Sequence, residues 1–290
     1  MTNIKDSLIR VVRPLAKIVM NSIPGGRKLA WSLYQFLTPN GERWVDVHGV
    51  PILVNIHDNG IGTLLFFRGQ YAVARVSEIR QLVKEGDVAV DIGANIGYFT
   101  ALLANLVGQK GKVYAFEPDP RNFQLLQRTI QRNGWTHVIA YQKAVADKNG
   151  EFILYQTRSW TANVLTPSEH ISTAKVDVVI LDEFLTDEKC IDFVKMDMDG
   201  SEPLAIRGMT KLIRRNPNLK VLAEYQPGNL KRYLSDPLDF ITIAEEHGLN
   251  LATILNSDTG RLPQLDVAPL KQLTDNENLD LLFTTSNSME

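Results

Sequence analysis

The stretch VAVDIGANIGYFT, residues Val88 to Thr100, decides the fold. VAVDI is apolar apart from Asp91, as in a strand covered on both faces. Gly93 and Gly97 then bracket a short turn, and YFTALLANLV continues as an unbroken helix pattern. A strand running through glycines into a helix places backbone N–H groups at the carboxyl edge of a parallel sheet, where ligands bind in open α/β folds.

Outward from that stretch the alternation repeats. Strands are expected at 87–92, 112–117 and near 137–142, and in VDVVIL (176–181), IDFVKMD (191–197), LKVLAEY (219–225), LNLATIL (249–255) and LDLLFTT (279–285). Helices are expected at 96–107, at 120–133, from about 202, and at 237–247. The pattern indicates a parallel sheet with helices on both faces. Upstream, RWVDVHGVPILVNI reads as a hairpin over 43–56, and ARVSEIRQLVKEG as a helix closed by Gly86. GEFILY leads into a polar loop, residues 157–174, whose Trp160 and Asn163 suit an acceptor lid or an ordinary surface loop.

Bulk properties narrow the classes. The 290 residues carry a formal net charge of −2, which gives no general attraction to nucleic acid. The single cysteine, Cys190, fits a reducing, cytoplasmic setting, and no apolar run reads as a membrane span. Residues 1–43 differ: seven basic residues stand against two acidic ones, and Ile4, Leu8, Val11, Leu15 and Ile18 recur at helical spacing. This segment suits a helix pair covering the core or a homodimer partner, or a peripheral membrane contact through its basic face.

The turn's ligand is read from its charges. A dinucleotide-binding G-x-G-x-x-G turn needs a second glycine beside the pyrophosphate. Here that position is Asn95, and Asp91 would repel the phosphates. A cationic ligand fits better, so S-adenosylmethionine is expected, with Glu117, at the end of the next strand, accepting the ribose hydroxyls. The alternatives are a nicotinamide-dependent oxidoreductase, disfavoured by Asn95 and Asp91, and a non-catalytic S-adenosylmethionine-binding module.

VAVDIGANIGYFTALLANLVG, GKVYAFEPDPRNFQLLQRTIQRNG, KAVADKNGEFILY, VDVVILDEFL and IDFVKMDMDGSEPLAIRG, in this order, resemble the FkbM family of S-adenosylmethionine-dependent methyltransferases across roughly residues 70–285. The resemblance implies the class I methyltransferase fold: a Rossmann-like, seven-stranded sheet whose last strand, LDLLFTT, is antiparallel. Residues 1–56 form an N-terminal helical and hairpin appendage, ahead of a methyltransferase domain at 57–290. It implies O-methylation of a small-molecule hydroxyl on a sugar, polyketide or other secondary metabolite. The implied cofactor set is Asp91, Gly93, Ala94, Asn95, Gly97, Tyr98, Thr100, Glu117, Pro118, Ala144 and Asp197. The family usually carries Glu where this chain has Asp199.

A hydroxyl acceptor calls for a base. Lys195 and Asp197 lie two apart on one strand and so share a face. Asp197 is the expected base or acceptor-positioning group; Lys195 either holds it ionised or forms a structural ion pair. Asp199 and Glu202 are expected to cap or begin the next helix. Glu224 ends the neighbouring strand at the same rim. With no His or Asn pattern beside these carboxylates, a metal-free site is expected. His57, in the loop NIHDNGIG, is a candidate to reach the acceptor pocket or a structural loop histidine.

Overall fold

The computed structural model describes residues 41–58, 60–156, 162–163, 172–262 and 266–285. The expected N-terminal helices, Trp160 and the last five residues lie outside the described residues, and Asn163 is described only as backbone. The chain enters a hairpin, β1 (Glu42–Val47) and β2 (Val50–Asn55), then helices α1 (Ile61–Arg68) and α2 (Val73–Leu82). β3 (Val88–Ile92), α3 (Tyr98–Val107), β4 (Lys112–Phe116), α4 (Pro120–Asn133) and β5 (Val138–Tyr141) follow. Next come β6 (Lys143–Val145), β7 (Gly150–Gln156), β8 (Ala162–Asn163), β9 (Ser172–Val179) and the short helix α5 (Leu181–Phe184). The second half runs β10 (Phe193–Met196), α6 (Glu202–Arg207), α7 (Thr210–Arg215), β11 (Lys220–Tyr225), α8 (Pro227–Leu230) and α9 (Asp239–Glu246). It closes with β12 (Leu249–Asn256), β13 (Gly260–Arg261), α10 (Ala268–Gln272) and β14 (Leu279–Thr285).

The main sheet has the order β13-β12-β14-β11-β10-β3-β4-β5. β5, β4, β3, β10 and β11 are mutually parallel, and β14 is antiparallel to both β11 and β12. This is the class I methyltransferase sheet, widened to eight strands by the two-residue β13. From β3 the chain winds outward to β5, then returns to place β10 on β3's other side. That reversal opens a crevice above the carboxyl ends of β3 and β10, where α/β folds bind ligands.

Alternation along the strands divides the core. In β10, Phe193 packs with α3 and the hairpin, whereas Val194 and Met196 pack with α6, α7 and α9. Asp91 and Lys195 face the same side as Phe193 and are register partners across β3 and β10. The hairpin belongs to this core. Val45, Val47, Ile52, Leu53 and Val54 are buried in the same cluster as Leu102, Leu103 and Leu125. The Leu53 N–H donates to Thr129 Oγ1 (3.0 Å), and Asn133 Nδ2 donates to the Pro51 carbonyl (2.9 Å), tying the hairpin to α4.

Two expectations are corrected. VDVVIL does not extend the main sheet: β9 ends at Val179 and pairs with β6 and β7 in a separate four-stranded sheet. Its residues alternate exposed and buried from Lys175 to Val178, the signature of a sheet with one wet face rather than a doubly covered strand. Gly86 does not close the preceding helix. α2 ends at Leu82 because Val83 turns extended and buries its side chain, and Gly86 instead donates its N–H to Val107 O (2.8 Å) in the turn into β3.

Candidate active site

The turn after β3 is held from three directions. Gly93 and Ala94 both donate N–H bonds to Phe116 O (3.0 Å each), and Gly97 N–H donates to Ala94 O (2.9 Å). Asn95 takes a left-handed conformation (φ 52°), which its short polar side chain tolerates by accepting the Ile96 N–H (2.8 Å). Gly93 has φ 75°, and a Cβ there would lie 1.9 Å from the Asp197 carbonyl oxygen. Gly97 has φ 93°, and its Cβ would meet Leu126 Cδ1 at 2.8 Å. The first glycine therefore lets β3's turn touch the end of β10, and the second lets α3 start beside α4.

Above this turn lies a cavity of about 690 Å³. The turn contributes Gly93, Ala94 and Asn95, and α3 contributes Tyr98 and Phe99. Glu117 and Pro118 line it after β4, Ala144 from β6, and Lys195, Asp197 and Glu224 from the ends of β10 and β11. Asp91, Gly97 and Thr100 stand behind the lining. Asp91 is fully buried, accepting from Thr100 Oγ1 (2.6 Å) with its other oxygen 3.2 Å from Lys195 Nζ. It meets the cavity only through its neighbours, Lys195 among them.

Glu117 has the geometry of a diol acceptor. Oε2 accepts the Asn95 N–H (2.7 Å) and Oε1 the Asp119 N–H (2.8 Å), which fixes the carboxyl on the cavity wall with lone pairs to spare. Burial pushes its pKa up to about 8, against the lowering by these two backbone bonds. The cradle of turn backbone and a fixed carboxyl at the second strand's end fits the amino-acid and ribose ends of S-adenosylmethionine.

Beside the turn, at the ends of β10 and β11, charges cluster. Lys195 Nζ donates to Gly93 O (2.9 Å) and lies 3.9 Å from Asp197 Oδ2. Arg75, from α2, is 1% exposed; its Nη1 donates to Asp197 Oδ2 at 2.9 Å and its Nη2 lies 3.6 Å from Glu224 Oε1. The same guanidinium grips Asp280 of β14 through Nε (2.7 Å) and Nη2 (2.5 Å). Burial opposes ionisation of Asp197, but Lys195, Arg75 and hydrogen bonds from Arg75 and Glu224 outweigh it and hold the carboxyl below its ordinary range. Glu224 is driven the other way, well above its ordinary value, by burial and then by the Asp197 charge. Two neighbouring carboxyls thus settle with one ionised and one protonated.

The expectation for Asp199 is corrected. It does not cap α6; it stands at φ 54° and lines the cavity, where burial and Asp197 push its pKa up to about 6. Gly200 and Ser201 separate it from the start of α6 at Glu202. Glu202 does begin that helix, but it is buried and accepts the Met198 N–H (2.7 Å). His57 is not among the cavity-lining residues; its neighbour Asp58 is, with its carboxylate accepting the N–H groups of Gly60, Gly62 and Thr63. Among the described residues no group of three or more His, Cys, Asp or Glu side chains is arranged to hold a metal ion.

Sequence reading missed Arg75, Asp280 and Tyr71. Arg75 sits in ARVSEIRQL, whose mixture of charges resembles a solvated helix face. Asp280 did leave a signal: a lone acid inside LDLLFTT must find a partner once its strand is buried. Tyr71 precedes α2 and lines the cavity, its backbone pinned by the Tyr98 hydroxyl, which donates to Tyr71 O (2.6 Å) and accepts the Tyr71 N–H (3.1 Å).

Comparison with known proteins places this geometry in context. A profile described as the methyltransferase FkbM domain matches residues 91–250. Hexuronic acid methyltransferase AglP from Haloferax volcanii is 27% identical over 194 residues, 66% of this chain and 74% of that protein. Among solved structures, a SAM dependent methyltransferase from Aquifex aeolicus aligns with a TM-score of 0.43 and 14% identity, over 73% of this chain and 88% of that one. Fibrillarin from Aeropyrum pernix, in complex with natively bound S-adenosyl-L-methionine, aligns with a TM-score of 0.46 and 13% identity, over 84% and 83% of the two chains.

Proposed function

The chain belongs to the FkbM family of S-adenosylmethionine-dependent methyltransferases, and from that premise we propose that it O-methylates a hydroxyl of a sugar-like small molecule. The observation that carries this reading is the ionised Asp197 beside the cofactor turn, held between Lys195 and Arg75 at the cavity's charged end. When bound, S-adenosylmethionine supplies a methyl group already activated on a sulfonium. The protein's work is then alignment, and removal of the acceptor's proton. Gly93, Ala94 and Asn95 would present backbone to the amino-acid end, and Glu117 would accept the ribose hydroxyls. Asp91 seats Lys195, and Lys195 fixes the Gly93 carbonyl.

Asp197 would accept the hydroxyl proton. A carboxylate held below its ordinary pKa is a weak base, but the hydroxyl becomes strongly acidic as its oxygen gains the methyl group, so nearness matters more than basicity. Protonated Glu224 beside it donates to Asp197 and keeps its charge localised. An acceptor carboxylate would need no base and would meet the repulsion of Asp197, so a hydroxyl is the better fit. Tyr71, Tyr155, Tyr233 and Gln226 line the same cavity and offer the aromatic and hydrogen-bonding surface that sugars use. The sugar named for the Haloferax relative supports the acceptor class.

The test is transfer of labelled methyl from S-adenosylmethionine to a panel of methyl hexosides and hexuronates, with NMR location of the new group. A methyl ether on a ring hydroxyl is expected. A methyl ester, or transfer only to amines, overturns the proposal.

A further inference from the structure

Arg75 is buried at the meeting of α2, β10, β11 and β14, and it lies outside the segment 91–250 matched by the family profile. Its guanidinium is oriented by a fork: Nε donates to Asp280 Oδ2 (2.7 Å), Nη2 pairs with Asp280 Oδ1 (2.5 Å), and Nη2 also donates to Ser257 Oγ (3.2 Å). Ser257 Oγ in turn donates to Asp280 Oδ2 (2.9 Å). Two-point contact with Asp280 leaves the plane of the group no freedom, and its remaining corner, Nη1, is delivered 2.9 Å from Asp197 Oδ2. The Lys195 charge also favours the ionised carboxylate, but Lys195 cannot aim it, because its Nζ is committed to Gly93 O and Asp91 and stands 3.9 Å from Asp197. The Phe99 ring, with Arg75 Cζ at 5.5 Å and Lys195 Nζ at 5.1 Å from its centroid, packs beside both cations.

A buried ion pair is a weak source of stability, and apolar residues of similar volume often do as well. Stability alone is therefore a poor reason to keep a charged chain from β14 through α2 to the cavity. We propose that Arg75, oriented by Asp280, is a positioning residue for methyl transfer: it aims the Asp197 carboxylate at the acceptor and keeps it ionised there. The proposal rests on the reading of Asp197 as the proton acceptor. Other groups facing Asp197 act on the same equilibrium. They are Lys195 from β10, Glu224 from β11, Asp280 from β14, Tyr71 ahead of α2, and Asp199 and Glu202 beyond β10. All carry negative charge or none except Lys195, so loss of Arg75 must favour the protonated form of Asp197.

The test uses the full chain with carboxyl-labelled aspartate, the Asp197 resonance being assigned by its absence from Asp197→Asn. Arg75→Lys keeps the charge without the fork. Arg75→Met/Asp280→Leu removes both charges together, so that Asp280 is not left buried without its partner. The midpoint of Asp197 titration should rise by at least one pH unit in the double variant and stay near wild type in Arg75→Lys. An unmoved midpoint in the double variant overturns the proposal, whatever the acceptor. With methyl hexosides as probe acceptors, the double variant should lose about tenfold in turnover one pH unit below its raised Asp197 midpoint, relative to its own high-pH plateau, and regain most of it two units above. Its S-adenosylmethionine dissociation constant should be unchanged, and Arg75→Lys should fall between it and wild type. A loss equal at every pH would make Arg75 structural and also overturn the proposal. If wild type ignores methyl hexosides while the titration shifts as expected, the acceptor class fails and the role of Arg75 stands.

Discussion

Asp197→Asn keeps the shape of the side chain and deletes its charge and basicity. Turnover should fall by about 10²–10⁴, the usual worth of a positioned base, with the S-adenosylmethionine dissociation constant nearly constant. Steady-state kinetics beside calorimetry checks this, and full turnover in the variant would move the base to Glu224. Glu117→Ala removes the partner proposed for the ribose hydroxyls and should weaken S-adenosylmethionine by about 1–3 kcal/mol, the cost of a buried hydrogen-bonding group left unsatisfied, in the same calorimetry. Glu117 and Glu202 also tie stability to pH. Burial raises each from 4.5 to about 8 in the folded protein. The folded state therefore binds more protons than the unfolded state between those values. Their stabilising contribution is complete below about pH 4.5 and is lost as pH rises through 8. Urea unfolding without cofactor should give a stability about 1 kcal/mol or more lower at pH 8.5 than at pH 6. Glu202→Gln should shrink that difference, and a flat profile would refute the account.

At the scale of elements, the β3–α3 turn works because two strands' ends are allowed to touch. Gly93→Ala must displace the Asp197 carbonyl, since its Cβ has only 1.9 Å of room. It should therefore abolish S-adenosylmethionine binding. Gly134, at the end of α4, is a useful contrast: it has φ 63°, but a Cβ there meets nothing. Gly134→Ala should cost only the left-handed strain, about 1–2 kcal/mol, and leave binding intact. Melting curves and calorimetry on the pair separate crowding from backbone strain. Equal behaviour of the two variants would mean that contact between β3's turn and β10 does not matter to the cofactor.

For the whole molecule, the hairpin decides where a minimal domain begins. Val45, Val47, Ile52, Leu53, Val54 and Ile56 are all buried. At about 1.5–3 kcal/mol each, their burial is worth on the order of 10 kcal/mol, comparable to the net stability of a whole domain. Removing them also strands the Thr129 hydroxyl that caps Leu53 N–H. A chain beginning at residue 57 should lack a cooperative melting transition that one beginning at residue 41 retains. A cooperative, cofactor-binding 57–290 fragment would show the hairpin to be dispensable after all.

Much of this was legible in the amino-acid order because it is local. VAVDIGANIG announces its strand, turn and helix through apolar runs and glycines, and the helix expected at 120–133 is α4, Pro120–Asn133. Lys195 and Asp197 share a face by strand spacing alone. What the order left open depends on which faces meet. VDVVIL and LDLLFTT both read as strands, but only the fold puts β9 in a second sheet and β14 between β11 and β12. Asp91 reads from the sequence as a ligand-side acid, and only the fold sets it, fully buried, opposite Lys195. Arg75 and Asp280 are 205 positions apart, and nothing local distinguishes Arg75 from a solvated helix charge. Local sequence sets the backbone's choices through propensity and periodicity; the electrostatics of the site arise only when packing removes water from charges that the chain order keeps apart.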